Sequence, residues 1–141
     1  EEAGGLQSGF MQIRLWSQFF VDNLKGSEHL IIDGSPRRLI DSKLMESAFD
    51  FYNHKKPTMV FINCNDDTAR DRLHGRAKIE GRADDLVEGR IEGRLAWFHD
   101  HVQPAIDYFK NKEKFNFVEI DGNVGIQEVF EQIREKVLES S

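Results

Sequence analysis

Three short apolar runs, each closed by polar or turn-forming residues, constrain this chain more than any other feature. They are HLIID at 29–33, PTMVFIN at 57–63 and FNFVEIDG at 115–122. Each is too short for a buried helix and reads as a strand covered on both faces, the pattern of parallel sheets. Around them the apolar residues recur every three or four positions, as helices require. Phe10, Ile13, Trp16, Phe20 and Leu24 mark one such face over 9–25, and Leu44, Ala48, Phe49 and Tyr52 the inward side of a second over 38–54. A short helix over 66–75 leads into a glycine-punctuated loop, GRAKIEGRADD. Ile91, Leu95, Phe98, Val102, Ile106 and Phe109 then hold the spacing through a long helix that Pro104 should kink or divide. Ile126, Val129, Phe130, Ile133 and Val137 set the face of a closing helix. Strands alternating with helices predict an α/β fold, a parallel sheet wrapped by helices. Three strands are few for so many helices, which predicts that part of the sheet is absent from this sequence.

With 141 residues and no long linker or repeat, the chain is expected to form one domain, 1–141. Its formal charge of −6 argues against a general nucleic-acid binder, which carries a basic face. No apolar run approaches the length needed to cross a membrane, and no signal-peptide pattern is present. Cys64 is the single cysteine, so no intramolecular disulfide can form and a reducing cytoplasm is the expected compartment. The five histidines show no ligand spacing, so no protein-held metal is expected.

Four stretches carry residues suited to chemistry. In Asp33-Gly34-Ser35-Pro36-Arg37, a carboxylate at a strand end can hold a hydrated Mg²⁺ and the guanidinium can clamp a phosphate bidentately. The same residues also suit an ordinary strand-to-helix turn. Arg72 and Arg76 share a helical face, with Arg82 across a short loop. Converging guanidinium groups repel unless an anion joins them, and phosphoryl transfer needs such a cage. Interleaved acids such as Asp66, Asp71 and Glu80 equally allow a solvated surface of mixed charge. Asp84-Asp85 either complement a helix N-terminus or pair with those arginines. EIDGNVG at 119–125 runs from a strand end to a helix start, where backbone can face a flat base.

In this order and spacing the stretches AGGL (3–6), IIDGSPR (31–37), DRLHGR (71–76), GRADD (81–85), RL (94–95) and IDG (120–122) resemble the nucleoside monophosphate kinase family, its adenylate kinase branch most closely. The resemblance implies reversible phosphoryl exchange, ATP plus AMP giving two ADP, with Mg²⁺ as cofactor and ATP and AMP as partners. Arg37 would clamp the monophosphate behind the Gly34-Ser35-Pro36 turn, with Gly5, Leu6 and Gln7 against its base. Arg82 and Arg94 would reach the transferred phosphoryl group and the monophosphate. Arg76 would hold ATP phosphates, Arg72 would stack on the ATP base, and Val124 and Gly125 would line its other side. Asp33 would position metal-bound water, and Asp84 and Asp85 would organise the closed lid. Residues 1–25 would end the monophosphate-binding region, and 76–82 would form a short lid with no room for zinc.

The sequence also departs from that family. It holds no G-x-x-x-x-G-K-[ST], so the phosphate-cradling loop and its strand are expected to be absent, leaving a gap between LIID and MVFI. A complementary N-terminal segment or a second copy is the expected partner for that gap, and the chain alone is expected to be inactive. Ser35 stands where the family usually has an aromatic residue, and Asp41 where adenylate kinases usually carry a base-reading glutamine. An acid accepts from an exocyclic amine, which favours adenine or cytosine. The interval from Asp85 to Arg94 is one residue longer than the family spacing, so either the helix start absorbs the extra residue or Arg94 is rotated from the family position. Two other readings remain open: a nucleotide-binding module without catalysis, and a cytidylate- or uridylate-type kinase.

Overall fold

A computed structural model describes residues 8–79 and 89–139. Its centre is a two-stranded parallel sheet, β1 (Thr58–Asn63) beside β2 (Asn116–Asp121). The register pairs Thr58 with Asn116 and Asn63 with Asp121, so both strands end at one edge of the fold. Parallel strands need a crossover. Here it runs through α3 (Asp66–Ile79), residues outside the described set, α4 (Arg90–Trp97) and α5 (Gln103–Lys110). Two helices precede the sheet, α1 (Gly9–Asn23) and α2 (Leu39–Phe51), and α6 (Ile126–Ile133) follows it. The expected α/β class, a parallel sheet flanked by helices, is the observed one.

The core lies between the sheet and the α2–α5 pair. Met45, Phe49, Phe109 and Phe115 are buried there, with Leu30, Ile32, Met59 and Phe117 packed against them. The rings of Phe109 and Phe115 meet edge to face at 4.7 Å, the favoured aromatic arrangement. On α2 the inward face is Asp41, Ser42, Met45 and Phe49, while Leu44, expected inside, is exposed. The helical spacing was legible but its phase was set by Met45, whose flexible side chain fills the gap beneath Phe109.

The first apolar run forms no strand. Residues 29–33 have no regular secondary structure, and their backbone makes no ladder with β1 or any other described residue. Leu30 and Ile32 cover the core while Ile31, between them, is 95% exposed. Alternating burial is what a strand would show, and only the hydrogen-bonding neighbour is lacking among the described residues. The expected strand is therefore corrected to an unpaired segment.

Pro104 divides the long helix as its chemistry demands. Its missing N–H cannot serve the carbonyl one turn back, and residues Phe98–Val102 widen into a π-helical turn. Gln103 N–H donates to the Phe98 carbonyl, five residues back, and α5 starts there. The helix expected to stop at 75 continues to Ile79, since Arg76, Ala77 and Lys78 are good helix formers that outweigh Gly75. Ile126 and Phe130, expected inward on the closing helix, are exposed at 90% and 52%. No described helix is long and apolar enough to cross a membrane.

Candidate functional site

The end of the unpaired segment turns sharply into α2. Gly34 adopts φ 71°, a left-handed conformation that suits glycine, and the Ser35–Pro36 peptide is cis. The turn folds Arg37 back so that its Nε donates to the Gly34 carbonyl at 2.7 Å. Arg37 has no carboxylate partner among the described residues. Asp33 is exposed, and no described residue donates to its carboxylate. A lone carboxylate of this kind suits Mg²⁺, which keeps most of its waters and binds through one or two protein carboxylates. No group of three or more His, Cys, Asp or Glu is assembled among the described residues, so a closed protein metal site is not formed there.

Arg38 caps α2 in an extended conformation and turns the opposite way. Its Nε and Nη2 donate to the two oxygens of Asp41 at 2.9 and 2.7 Å. Asp41 is 2% exposed, so this carboxylate is stable only because the guanidinium answers both oxygens. The Asp41 hydrogen bond raises Arg38 above its ordinary value, against the opposing effect of burial. The distal edge of the guanidinium, Nη1 and Nη2, also abuts the first residue of α1 end-on. A Cβ on Gly9 would fall 1.8 Å from both terminal nitrogens, so a larger residue there would require the arginine tip to shift. Arg37 and Arg38 together open onto a cavity of about 300 Å³, lined also by Ser8, Gly9, Gln12 and the stacked Trp97–His101 pair.

A second group forms where β1 and β2 end. Asn65 N–H donates to the Asn123 side chain at 2.9 Å, and the Asp121 carboxylate accepts from Asn123 N–H at the same distance. The Asn123 backbone and side-chain donors hold the Asp121 carboxyl below the usual range. This lattice fixes the 121–125 turn so that the Val124 carbonyl accepts from Arg72 Nη2 at 2.8 Å. Gly125 caps α6, and its N–H donates to Glu128. Thus Arg72 and Val124, expected on opposite sides of one base, are in direct contact. Arg76 follows one turn later on α3. Arg94 lies in α4, which Glu92 joins to Arg70 on α3 at 2.7 Å.

Gly5, Leu6, Gln7, Arg82, Asp84 and Asp85 lie outside the described residues, as does most of the loop over 80–88. Asp41 is buried behind Arg38 and does not line the cavity, and both its oxygens are engaged, which differs from the expected open acceptor for an exocyclic amine. Arg38 and Gly9 were not singled out by the sequence patterns. The available signal was the i, i+3 spacing of Arg38 and Asp41 across a helix start.

Comparison with known proteins gives consistent relatives. The chain is 30% identical over 125 residues to uridylate kinase of Saccharomyces cerevisiae, covering 84% of this chain and 55% of that protein. It is 30% identical over 136 residues to adenylate kinase of Azobacteroides pseudotrichonymphae, covering 95% of this chain and 68% of the relative. Adenylate kinase of Flavobacterium psychrophilum is 27% identical over 117 residues, 83% of this chain and 60% of the relative. The chain thus spans 55 to 68% of the length of these relatives. No family model and no solved structure matches it.

Proposed function

The chain belongs to the adenylate kinase family of nucleoside monophosphate kinases, and from that premise we propose that it serves reversible phosphoryl transfer between ATP and a nucleoside monophosphate. A monophosphate oxygen attacks the γ-phosphorus of ATP, the bond to the ADP oxygen breaks, and two nucleoside diphosphates result. The observation that carries this reading is Arg37, an uncompensated guanidinium at the mouth of a cavity large enough for a mononucleotide. A fixed cation fits a phosphate there, and its bidentate fork gives orientation as well as charge. Arg72 and Val124 are hydrogen-bonded to each other, so in this reading they form one edge of the ATP-base site and a base enters only if that contact opens, with Arg76 one turn further along α3 for phosphates. Mg²⁺ would supply neutralisation of the phosphate oxygens, held through water at Asp33. In this reading Arg82 and Arg94 reach the transferred phosphoryl group and the monophosphate, and Asp84 and Asp85 organise the closed lid.

AMP is the acceptor suggested by the names of most relatives, and the reaction is then ATP plus AMP to two ADP. A uridylate-type acceptor is favoured by one specific observation: Asp41 is 2% exposed and both its oxygens already accept from Arg38, so it is poorly placed to accept from an amine. The chain as it stands is proposed to be inactive. Its sequence holds no phosphate-cradling G-x-x-x-x-G-K-[ST], and transfer depends on that backbone nest and lysine. The test compares diphosphate formation by the 141-residue chain with that of the chain joined to the phosphate-loop segment of an adenylate kinase relative. Silence from the first and turnover from the second is expected. Turnover of about 1–100 s⁻¹ by the first would overturn the proposed inactivity.

A further inference from the structure

We propose that Arg38, clamped by Asp41 and seated on Gly9, is the base-reading residue of the monophosphate cavity and selects a keto base, uracil or guanine, over cytosine and adenine. The inference rests on reading the Arg37 cavity as the monophosphate site.

A guanidinium carries five N–H donors. Two of those on Arg38 are taken by Asp41. The other three, both on Nη1 and one on Nη2, meet no acceptor among the described residues; one on each nitrogen faces Gly9, and the side chain is 29% exposed and lines the cavity. The group is held rigidly. Asp41 fixes its plane through two hydrogen bonds, and the distal edge occupies the space left by the missing side chain of Gly9. Fixed donors of this kind discriminate because they lose nothing further on ordering.

The neighbouring arginines divide the labour by charge. Arg37 bonds only a backbone carbonyl and keeps a net positive charge, which suits a phosphate. Arg38 with Asp41 is a neutral pair that still presents donors, which suits a carbonyl oxygen. Uracil and guanine carry a carbonyl where cytosine and adenine carry an amine. An amine brought to Arg38 would set N–H against N–H, leaving buried donors unanswered, and such mismatches are strongly rejected. The Trp97–His101 stack lines the same cavity and gives the base a flat wall. The expected preference is about tenfold or more, the scale of one good paired contact.

Calorimetric titration of the 141-residue chain with UMP, CMP, GMP, AMP and ribose 5-phosphate tests this. UMP should bind about tenfold or more tightly than CMP, or GMP than AMP, and the pair that shows the gap identifies the keto base. In the double variant Arg38→Met with Asp41→Asn, which strands no buried charge, the gap should close while ribose 5-phosphate still binds. If that variant melts early, Arg38→Lys keeps the ion pair but loses the planar fork, and the gap should shrink there too. Equal binding within both pairs, or preference for the amino base, overturns the assignment while leaving the monophosphate site intact. Loss of ribose 5-phosphate binding along with UMP in the double variant would make Arg38 a phosphate ligand and also overturns it. Failure of every ligand, ribose 5-phosphate included, to bind the folded wild-type chain overturns the monophosphate reading itself.

Discussion

Arg37 and Arg38 are adjacent in sequence and opposite in circumstance, and the difference predicts separable effects. Removing Arg37 removes a charge that meets only the Gly34 carbonyl, so Arg37→Ala should fold normally and lose phosphate affinity. A charge-assisted hydrogen bond is worth about 1.5–3 kcal/mol, so ribose 5-phosphate binding should weaken about 10- to 100-fold by titration. Glycines separate in the same way. Gly122 N–H donates to the Asn63 carbonyl, and a Cβ on Gly122 would stand 2.8 Å from that oxygen. Backbone cannot yield as a side-chain tip can, so Gly122→Ala should lower stability by about 1–3 kcal/mol in urea unfolding. Gly93 lies inside α4 with open space around it, and Gly93→Ala should instead be neutral or stabilising by up to about 1 kcal/mol. At the residue scale the turn at Asp33–Arg37 was legible, because glycine and proline mark it in the sequence. The role of Arg38 was illegible, because it comes from a helix start some thirty residues away in the chain.

Helices α2 and α5 are joined by a polar cluster over the aromatic core. Glu46 on α2 accepts from Lys112 at 2.6 Å and from the Tyr108 hydroxyl, and Lys114 pairs with Asp50. Burial alone would raise the Glu46 carboxyl, but hydrogen bonds from Lys112 and Tyr108 outweigh it and the net shift is downward. A carboxyl lowered on folding contributes stability that is complete above its unfolded value, near 4.5, and is lost as pH falls through the folded value. The melting temperature should therefore fall as pH drops below about 4.5, and Glu46→Gln should flatten that dependence while lowering stability at neutral pH. Elements themselves were legible to different degrees. The strands at 58–63 and 116–121 satisfy each other, so their apolar runs became strands as read. HLIID is a similar apolar run but has no backbone partner among the described residues, and a strand is a property of a pair. The π-turn before Pro104 was legible as an interruption and not in its form, since a missing N–H can be absorbed by a kink or by a widened turn.

At the scale of the molecule, the fold presents two edges that ask for one strand. Leu30, Ile32, Met59 and Phe117 all cover the same core, so the segment 29–33, β1 and β2 lie over one layer. Only β1 and β2 are joined by hydrogen bonds. Ile31 and Ile62 are exposed at 95% and 46%, although their runs read as strands covered on both faces. Unpaired N–H and C=O groups of this kind are templates for another chain. The class of fold and the order of its motifs were thus legible in local patterns, whereas the closure of the sheet depends on contacts that no window of this sequence encodes. Amide hydrogen exchange makes the point measurable. Residues 117–120, paired and next to the buried Ile120, should be protected to nearly the global unfolding free energy. Residues 29–33 should exchange at rates close to those of an open loop. Addition of the strand-and-phosphate-loop segment of an adenylate kinase relative should slow exchange at 29–33 and at 58–62 together, since one inserted strand serves both edges. Strong protection of 29–33 in the monomeric chain without any addition would show that the segment needs no neighbour. Protection that appears only as chain concentration rises would show a second copy supplying the strand.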